Sequence, residues 1–170
     1  MFGIDVKVSE QINRSAEIIK AIGELNATDV LVGVPAEKAP REPEEAKGTP
    51  ATNALIAYVQ NFGSPPQNIP AREFAYSGIA LEQRAIEQNM EKAGGAAFDG
   101  DFEAMNRRLN AAGLAGARGM KTRISANIPP PLAESTLAAR RRRGHHGTRT
   151  LVETGQLRNA LTYVVRRKRS

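Results

Sequence analysis

The nine residues Ala111-Ala-Gly-Leu-Ala-Gly-Ala-Arg-Gly119 place glycines at 113, 116 and 119 and hold one bulky apolar side chain, Leu114. They continue a pattern that predicts a long helix. Asp101 has the carboxylate of a good N-cap, and Phe102, Met105 and Leu109 follow at helical spacing. Each mid-helix glycine costs roughly 1 kcal/mol relative to alanine. Three of them in a stretch so poor in bulk imply that something lies close against it. Close approach of a second helix or of another subunit is the leading expectation, and a flexible kink is the alternative.

The remaining elements predict an α+β fold: a small antiparallel or mixed sheet packed by several helices, in one domain over 1–170, with mobile Pro-rich and basic loops. Ile4, Val6 and Val8 alternate with polar residues as in a half-buried strand. Ser9 then caps a helix with Ile12, Ala16, Ile19 and Ile22 on its inner face and Gly23 near its end. Asp29–Pro35 predicts a second strand, with Val30, Val32 and Val34 on one side and Pro35 as its stop. Residues 36–50, with Pro40, Pro43 and Pro50 among Glu and Lys, predict a mobile loop.

Thr49-Pro50 reads as an N-cap followed by proline at the first helical position. Ala51, Leu55, Tyr58, Val59 and Phe62 then form a stripe expected to be buried, ended by Gly63. After a turn-rich connector over 64–71, one helix is expected from about Phe74–Ser77, with Ile79, Gln83, Ile86 and Met90 on its face and Gly94-Gly95 as its stop. Pro129-Pro-Pro131 halts the long helix, a short one covers about 135–143, and His145–Arg149 is a polar loop. Near the end, Thr154 is expected to cap a helical turn beginning at Leu157. Gly155 permits the sharp turn between them, and Leu161–Val165 reads as a strand.

The apolar share is 41%, with 5% aromatic residues and no Trp, so the core is expected to be aliphatic and alanine-rich. Cysteine is absent, which excludes disulfides, thiolate metal sites and Cys nucleophiles. No run of about 18 apolar residues occurs and the first residues do not resemble a signal peptide. A soluble protein made in the cytoplasm, with no membrane partner, is the expectation. His145 and His146 are adjacent and have no Asp, Glu or Cys beside them to complete a metal shell. The glycine-rich stretches fit neither a P-loop nor a dinucleotide-binding turn, and no G-x-S-x-G occurs. No catalytic residue, cofactor or metal is therefore assigned.

Charge is divided unevenly. Residues 1–106 carry 9 Lys and Arg against 16 Asp and Glu, a net of −7; residues 107–170 carry 15 against 2, a net of +13. Such asymmetry fits either acidic-on-basic packing between subunits or a basic end facing a polyanion. Arg140, Arg141, Arg142 and Arg143, with Arg149 and the terminal Arg166-Arg-Lys-Arg169, are the candidate contacts. They suit DNA phosphates through counterion release, or acidic protein neighbours. No aromatic residue interleaves with them, which argues against base stacking.

Several short motifs stand in a definite order. Val30–Pro35 runs into Val-Gly-Val-Pro. The helix over 53–62 leads to Gly63 and a loop closing on Ile69-Pro-Ala-Arg-Glu-Phe74. Then come Gly113, Ile124, Pro131-Leu132, Thr136 and Arg140, and finally Leu151, Thr154-Gly-Gln-Leu157 and Tyr163-Val164. In this succession, over roughly residues 28–166, the chain resembles the tail-completion or neck-protein family of long-tailed bacteriophages. Glu73 stands where that family usually has proline, which predicts a less rigid start to the following helix.

The resemblance implies a small α+β subunit of the connector between capsid and tail. It would form a homo-oligomeric ring, expected to be a hexamer, in the virion neck, assembled in the host cytoplasm. Its partners would be other neck and tail proteins, with contact to genomic DNA possible through the basic end. Ile69, Pro70, Arg72, Phe74, Leu151, Thr154, Gly155 and Leu157 would be the motif and core residues. A tail terminator or head-closure protein shares the size and ring-forming habit, but the Ile69–Phe74 motif argues against it. A basic nucleic-acid-binding protein is the alternative from another class; it suits the charge but lacks a helix-turn-helix, zinc-finger or stacking signature.

Overall fold

The computed structural model describes residues 4–40 and 51–168, with side chains from Ser15 onward. In chain order the elements are α1 (Ile4–Asn26), β1 (Thr28–Gly33), α2 (Asn53–Phe62), α3 (Ala75–Leu81), α4 (Gln83–Phe98), α5 (Phe102–Ser125), α6 (Glu134–Arg142), α7 (Gln156–Ala160) and β2 (Thr162–Arg167). This is an α+β fold with a small antiparallel sheet packed by helices. β1 and β2 pair from Thr28↔Arg167 to Gly33↔Thr162.

α5 organises the rest. Its first half joins Met105 and Leu109 to Ala21 of α1, Ala93 and Ala97 of α4, and the sheet residues Val30 and Val165. Its second half joins Met120 and Ile124 to Phe74, Leu151, Leu157 and Leu161, with Val32 and Val34 packed alongside. The three glycines between explain themselves by what lies over them. A Cβ at Gly113 would stand 2.7 Å from Tyr163 Cγ, and one at Gly116 would stand 3.1 Å from Val32 Cγ2. A Cβ at Gly119 would fall 2.9 Å from the carbonyl carbon of Gly78, and one at Gly78 would fall 2.6 Å from Met120 Cα. The close approach expected from sequence is therefore made within the chain, by the sheet and by α3. α5 runs unbroken, so the kink is not needed. Asp101 caps it as expected, accepting from Ala104 N at 2.7 Å.

Several expectations are corrected. Residues 4–8 are helical and continue into α1 without a Ser9 boundary. Ile4 and Val8 also satisfy an i, i+4 spacing, and extending a helix already nucleated downstream costs little. The inner face of α1 is not the Ile19–Ile22 stripe. Ala21 is fully buried, whereas Ala16, Ile19 and Ile22 are exposed, Ile19 at 71%. α4 presents Ala93 and Ala97 to α1, and small residues admit the neighbour that can come closest. The Ile12 side chain lies outside the described residues.

α2 is likewise rotated from its expected orientation. Leu55, Tyr58 and Phe62 are exposed, and Tyr58 and Phe62 rest on each other with ring centroids 5.0 Å apart. The buried face instead carries Asn53 and Asn61. Asn53 Nδ2 donates to the carbonyls of Lys38 (3.2 Å) and Pro40 (3.1 Å), while Asn61 Oδ1 accepts from Phe74 N (3.1 Å) and Ala75 N (3.0 Å). Satisfying buried backbone groups outweighs hiding one more apolar stripe. The N-cap of α2 is Thr52, whose Oγ1 accepts from Leu55 N at 3.2 Å. Thr49-Pro50 and most of the expected 36–50 loop lie outside the described residues; Ala36–Lys38 form a single 3₁₀ turn.

The helix expected from Phe74 to Gly94 is two helices meeting at Glu82, and Gly94-Gly95 lie inside α4 rather than ending it. α4 stops at Asp99-Gly100, where Gly100 takes φ +78°. Met90 is exposed. The start of α3 is tied rather than loosened by Glu73. Its carboxylate accepts from Tyr76 N at 2.5 Å and Ser77 N at 3.1 Å, doing by hydrogen bonds what a proline would do by ring closure. Pro129-Pro130, a cis bond, follows α5 after Asn127 at φ +56°.

Candidate interaction site

The segments singled out by sequence meet around two buried arginines. Arg140, at the inner face of α6, is 5% exposed. Its Nη1 donates to the carbonyls of Arg149 (2.7 Å), Gly147 (3.1 Å) and Val152 (3.3 Å), its Nη2 to Thr150 O (3.4 Å), and its Nε lies 3.4 Å from Glu153 Oε2. A planar fork of donors fits such a ring of carbonyls where a lysine would not. Arg140 is therefore the post around which 147–153 wraps, and its expected role as an exposed DNA or subunit contact is corrected by its burial.

The other arginines diverge, as successive residues on a helix must. Arg141, exposed, stands 3.9 Å from Glu134. Arg143, on the rim, shares Glu153 at 2.6 Å. Arg142 and Arg149 are exposed and make no ion pair among the described residues. The run is thus one structural arginine, two rim pairs and two open cations. It is not a single patch.

Arg72 is the second buried cation, 4% exposed. Its Nη2 and Nε donate to Pro130 O at 2.9 and 3.1 Å, and Nη2 reaches Pro131 O at 3.4 Å. Its backbone N–H donates to Gln60 O (2.8 Å), locking the loop onto α2. Burial first, and then the positive charge of Arg140, hold its pKa below the ordinary arginine value. Arg72 therefore clamps the proline turn to the 69–74 motif, and Asn127 Oδ1 ties in Thr150 N at 2.9 Å.

Of the other motif residues, Phe74, Leu151 and Leu157 are in the core. Ile69 is half-buried and bridges Ser64, outside the core cluster where it was expected, and Pro70 is exposed. Gly155 takes φ +80° and is itself the cap position of α7. Thr154, expected in that place, is exposed and reaches Gln156 N only at 3.5 Å. Gln60, Asn61, Thr150 and Glu153 were not singled out by sequence. Glu153 did carry a signal, since it is one of two carboxylates among the fifteen cations after residue 106.

Between the 60–72 and 131–157 segments lies a cleft of about 980 Å³, walled by Phe62, Ile69, Arg72, Leu132, Arg140 and Thr150. A second cavity of about 230 Å³, under Leu151–Leu157, shares Gln60, Arg140, Thr150 and Glu153 with it. No group of His, Cys, Asp and Glu that could hold a metal occurs among the described residues. None of their helices is long and apolar enough to cross a membrane. Comparison with known protein families, with curated proteins and with solved structures finds no match for this chain.

Proposed function

We propose that this chain is a structural subunit of the neck of a long-tailed bacteriophage, completing the tail and joining it to the capsid connector as a hexameric ring. One observation carries the reading. The segments that resemble the family are far apart in sequence yet supply one core, in which Val32, Val34, Phe74, Leu151 and Leu157 pack together. The ordered motifs thus make physical sense as parts of one unit.

Two further features suit a subunit of an assembly. Apolar side chains stand on the outside of two helices, Ile18, Ile19 and Ile22 on α1 and Leu55, Tyr58 and Phe62 on α2, where a monomer gains nothing from them. The open cations Arg142 and Arg149 lie in the basic half, while Glu91 and Asp99 are exposed in the acidic half. In a ring, one patch pair repeats around the axis, so complementary charge on a single chain is enough to join neighbours. In this reading the chain carries no catalytic residue and no cofactor. Its partners are other neck and tail proteins, its place is the virion, and its open arginines face the next subunit or the DNA that crosses the neck.

Sedimentation velocity and native mass spectrometry of the purified protein, alone and with the portal protein of the same phage, test this. A closed hexamer, or a complex with the portal, supports it. A monomer that joins neither itself nor the portal, yet binds duplex DNA strongly and salt-dependently, would overturn it in favour of a nucleic-acid-binding protein.

A further inference from the structure

We propose that the cleft between the 60–72 and 131–157 segments is a binding site for an extended, carboxylate-bearing peptide segment of a neighbouring protein. The two cavities described above adjoin, with Gln60, Arg140, Thr150 and Glu153 lining both. Buried charge is unbalanced there. Arg72 and Arg140 are both nearly inaccessible, and the one carboxylate beside them, Glu153, is divided between Arg140 and Arg143. Arg72 rests on carbonyl groups alone among the described residues. A buried cation without a counter-charge is costly, so a carboxylate arriving in the cleft enters a favourable field.

Polar valence is also left over. Gln60 Oε1 and Thr150 Oγ1 are buried and have no hydrogen-bond partner among the described residues, and Thr150 is 5% exposed. A peptide backbone supplies the N–H that Gln60 needs and either an N–H or a C=O for Thr150. Phe62, Ile69 and Leu132 offer apolar wall for the flanking side chains. A nucleic-acid backbone fits less well. Its phosphates only accept hydrogen bonds, which leaves Gln60 Oε1 unsatisfied. The site stands on these residues and is independent of the neck assignment.

The test uses ¹⁵N-labelled full-length protein and an acetylated, amidated hexapeptide of alternating glutamate and leucine. Binding should shift amides at 60, 69–72, 132 and 149–153, and the same peptide with glutamine for glutamate should bind at least about tenfold more weakly. The double variant Gln60→Leu, Thr150→Val removes only unpartnered polar atoms. Its melting temperature should therefore hold or rise while peptide affinity falls about tenfold. A residue that merely supports the fold would not give that combination. Three outcomes each overturn the proposal: no shifts in the cleft, equal affinity for the glutamine peptide, or displacement of the glutamate peptide from the cleft by a DNA duplex.

Discussion

Replacing Arg140 by methionine removes the guanidinium and keeps most of the apolar stem. Two of its hydrogen bonds are of good length, to Arg149 O at 2.7 Å and Gly147 O at 3.1 Å; those to Val152 and Thr150 are long, at 3.3 and 3.4 Å. Hydrogen bonds to a charged group contribute about 1.5–3 kcal/mol each, so the two good ones contribute about 3–6 kcal/mol. Releasing a buried guanidinium from its desolvation returns part of that. Glu153 keeps Arg143 as its partner at 2.6 Å and is not stranded. The net expectation is a loss of about 3–4 kcal/mol, or roughly 6–16 °C in melting temperature for a chain of this size.

Urea unfolding followed by circular dichroism measures the loss. Hydrogen exchange should show it concentrated at residues 147–153, which Arg140 holds. Arg140→Lys keeps the charge but offers no fork, and should recover less than half of the stability. Arg142→Ala, on the exposed side of α6, should stay within about 0.5 kcal/mol of the parent. If Arg140→Met melts within about 2 °C of the parent, below what the loss of even one such bond gives, the central-post role is wrong.

Three other outcomes follow from the packing and the charges. Gly119→Ala drives a Cβ into the Gly78 carbonyl where α3 crosses α5, and should cost about 1–3 kcal/mol in urea unfolding; a neutral result would mean that the crossing relaxes freely. Phe74→Ala empties the centre of the larger core cluster and should cost about 3–5 kcal/mol, whereas an unchanged melt would contradict its burial. Glu82 accepts a hydrogen bond from Arg118 Nε at 2.9 Å, and that bond holds its carboxyl below the usual glutamate value. Because the folded pKa is depressed, the contribution of this pair is present above the unfolded glutamate value and fades as pH falls through the folded one. An NMR titration should place Glu82 below ordinary glutamates and return it upward in Arg118→Ala; an unmoved titration would refute the pairing.

How far the sequence could be read follows from the range of the forces involved. Asp101 could be recognised as a cap because the groups it satisfies lie three residues away. The sheet residues Val30 and Val32 and the turn at Gly155 were equally local, set by alternation and by a backbone angle that glycine accepts readily. Glycines at 113, 116 and 119 announced a close neighbour but could not name it, since a missing side chain records only that space is needed. In the site, Phe74, Leu151 and Leu157 were visible as apolar residues in motifs. Within the run Arg140–Arg143 nothing local tells the buried arginine from its three exposed neighbours, so all four stood equally as candidate contacts.

The sequence alone determined the α+β class, the long capped helix with its small-residue face, the pairing-competent strands and the division of charge. All of these rest on interactions within a few residues or on composition. Tertiary structure alone decided which face of each helix turned inward. α2 buried two asparagines and left Tyr58 and Phe62 outside, because the carbonyls of Lys38 and Pro40 and the amides of Phe74 and Ala75 needed partners. α1 buried Ala21 ahead of its isoleucines, because α4 met it with alanines. Arg140 became a core residue because the chain seven to thirteen positions later wrapped around it. Each choice depends on polar groups and shapes brought together from distant parts of the chain, and those come into being only when the fold closes.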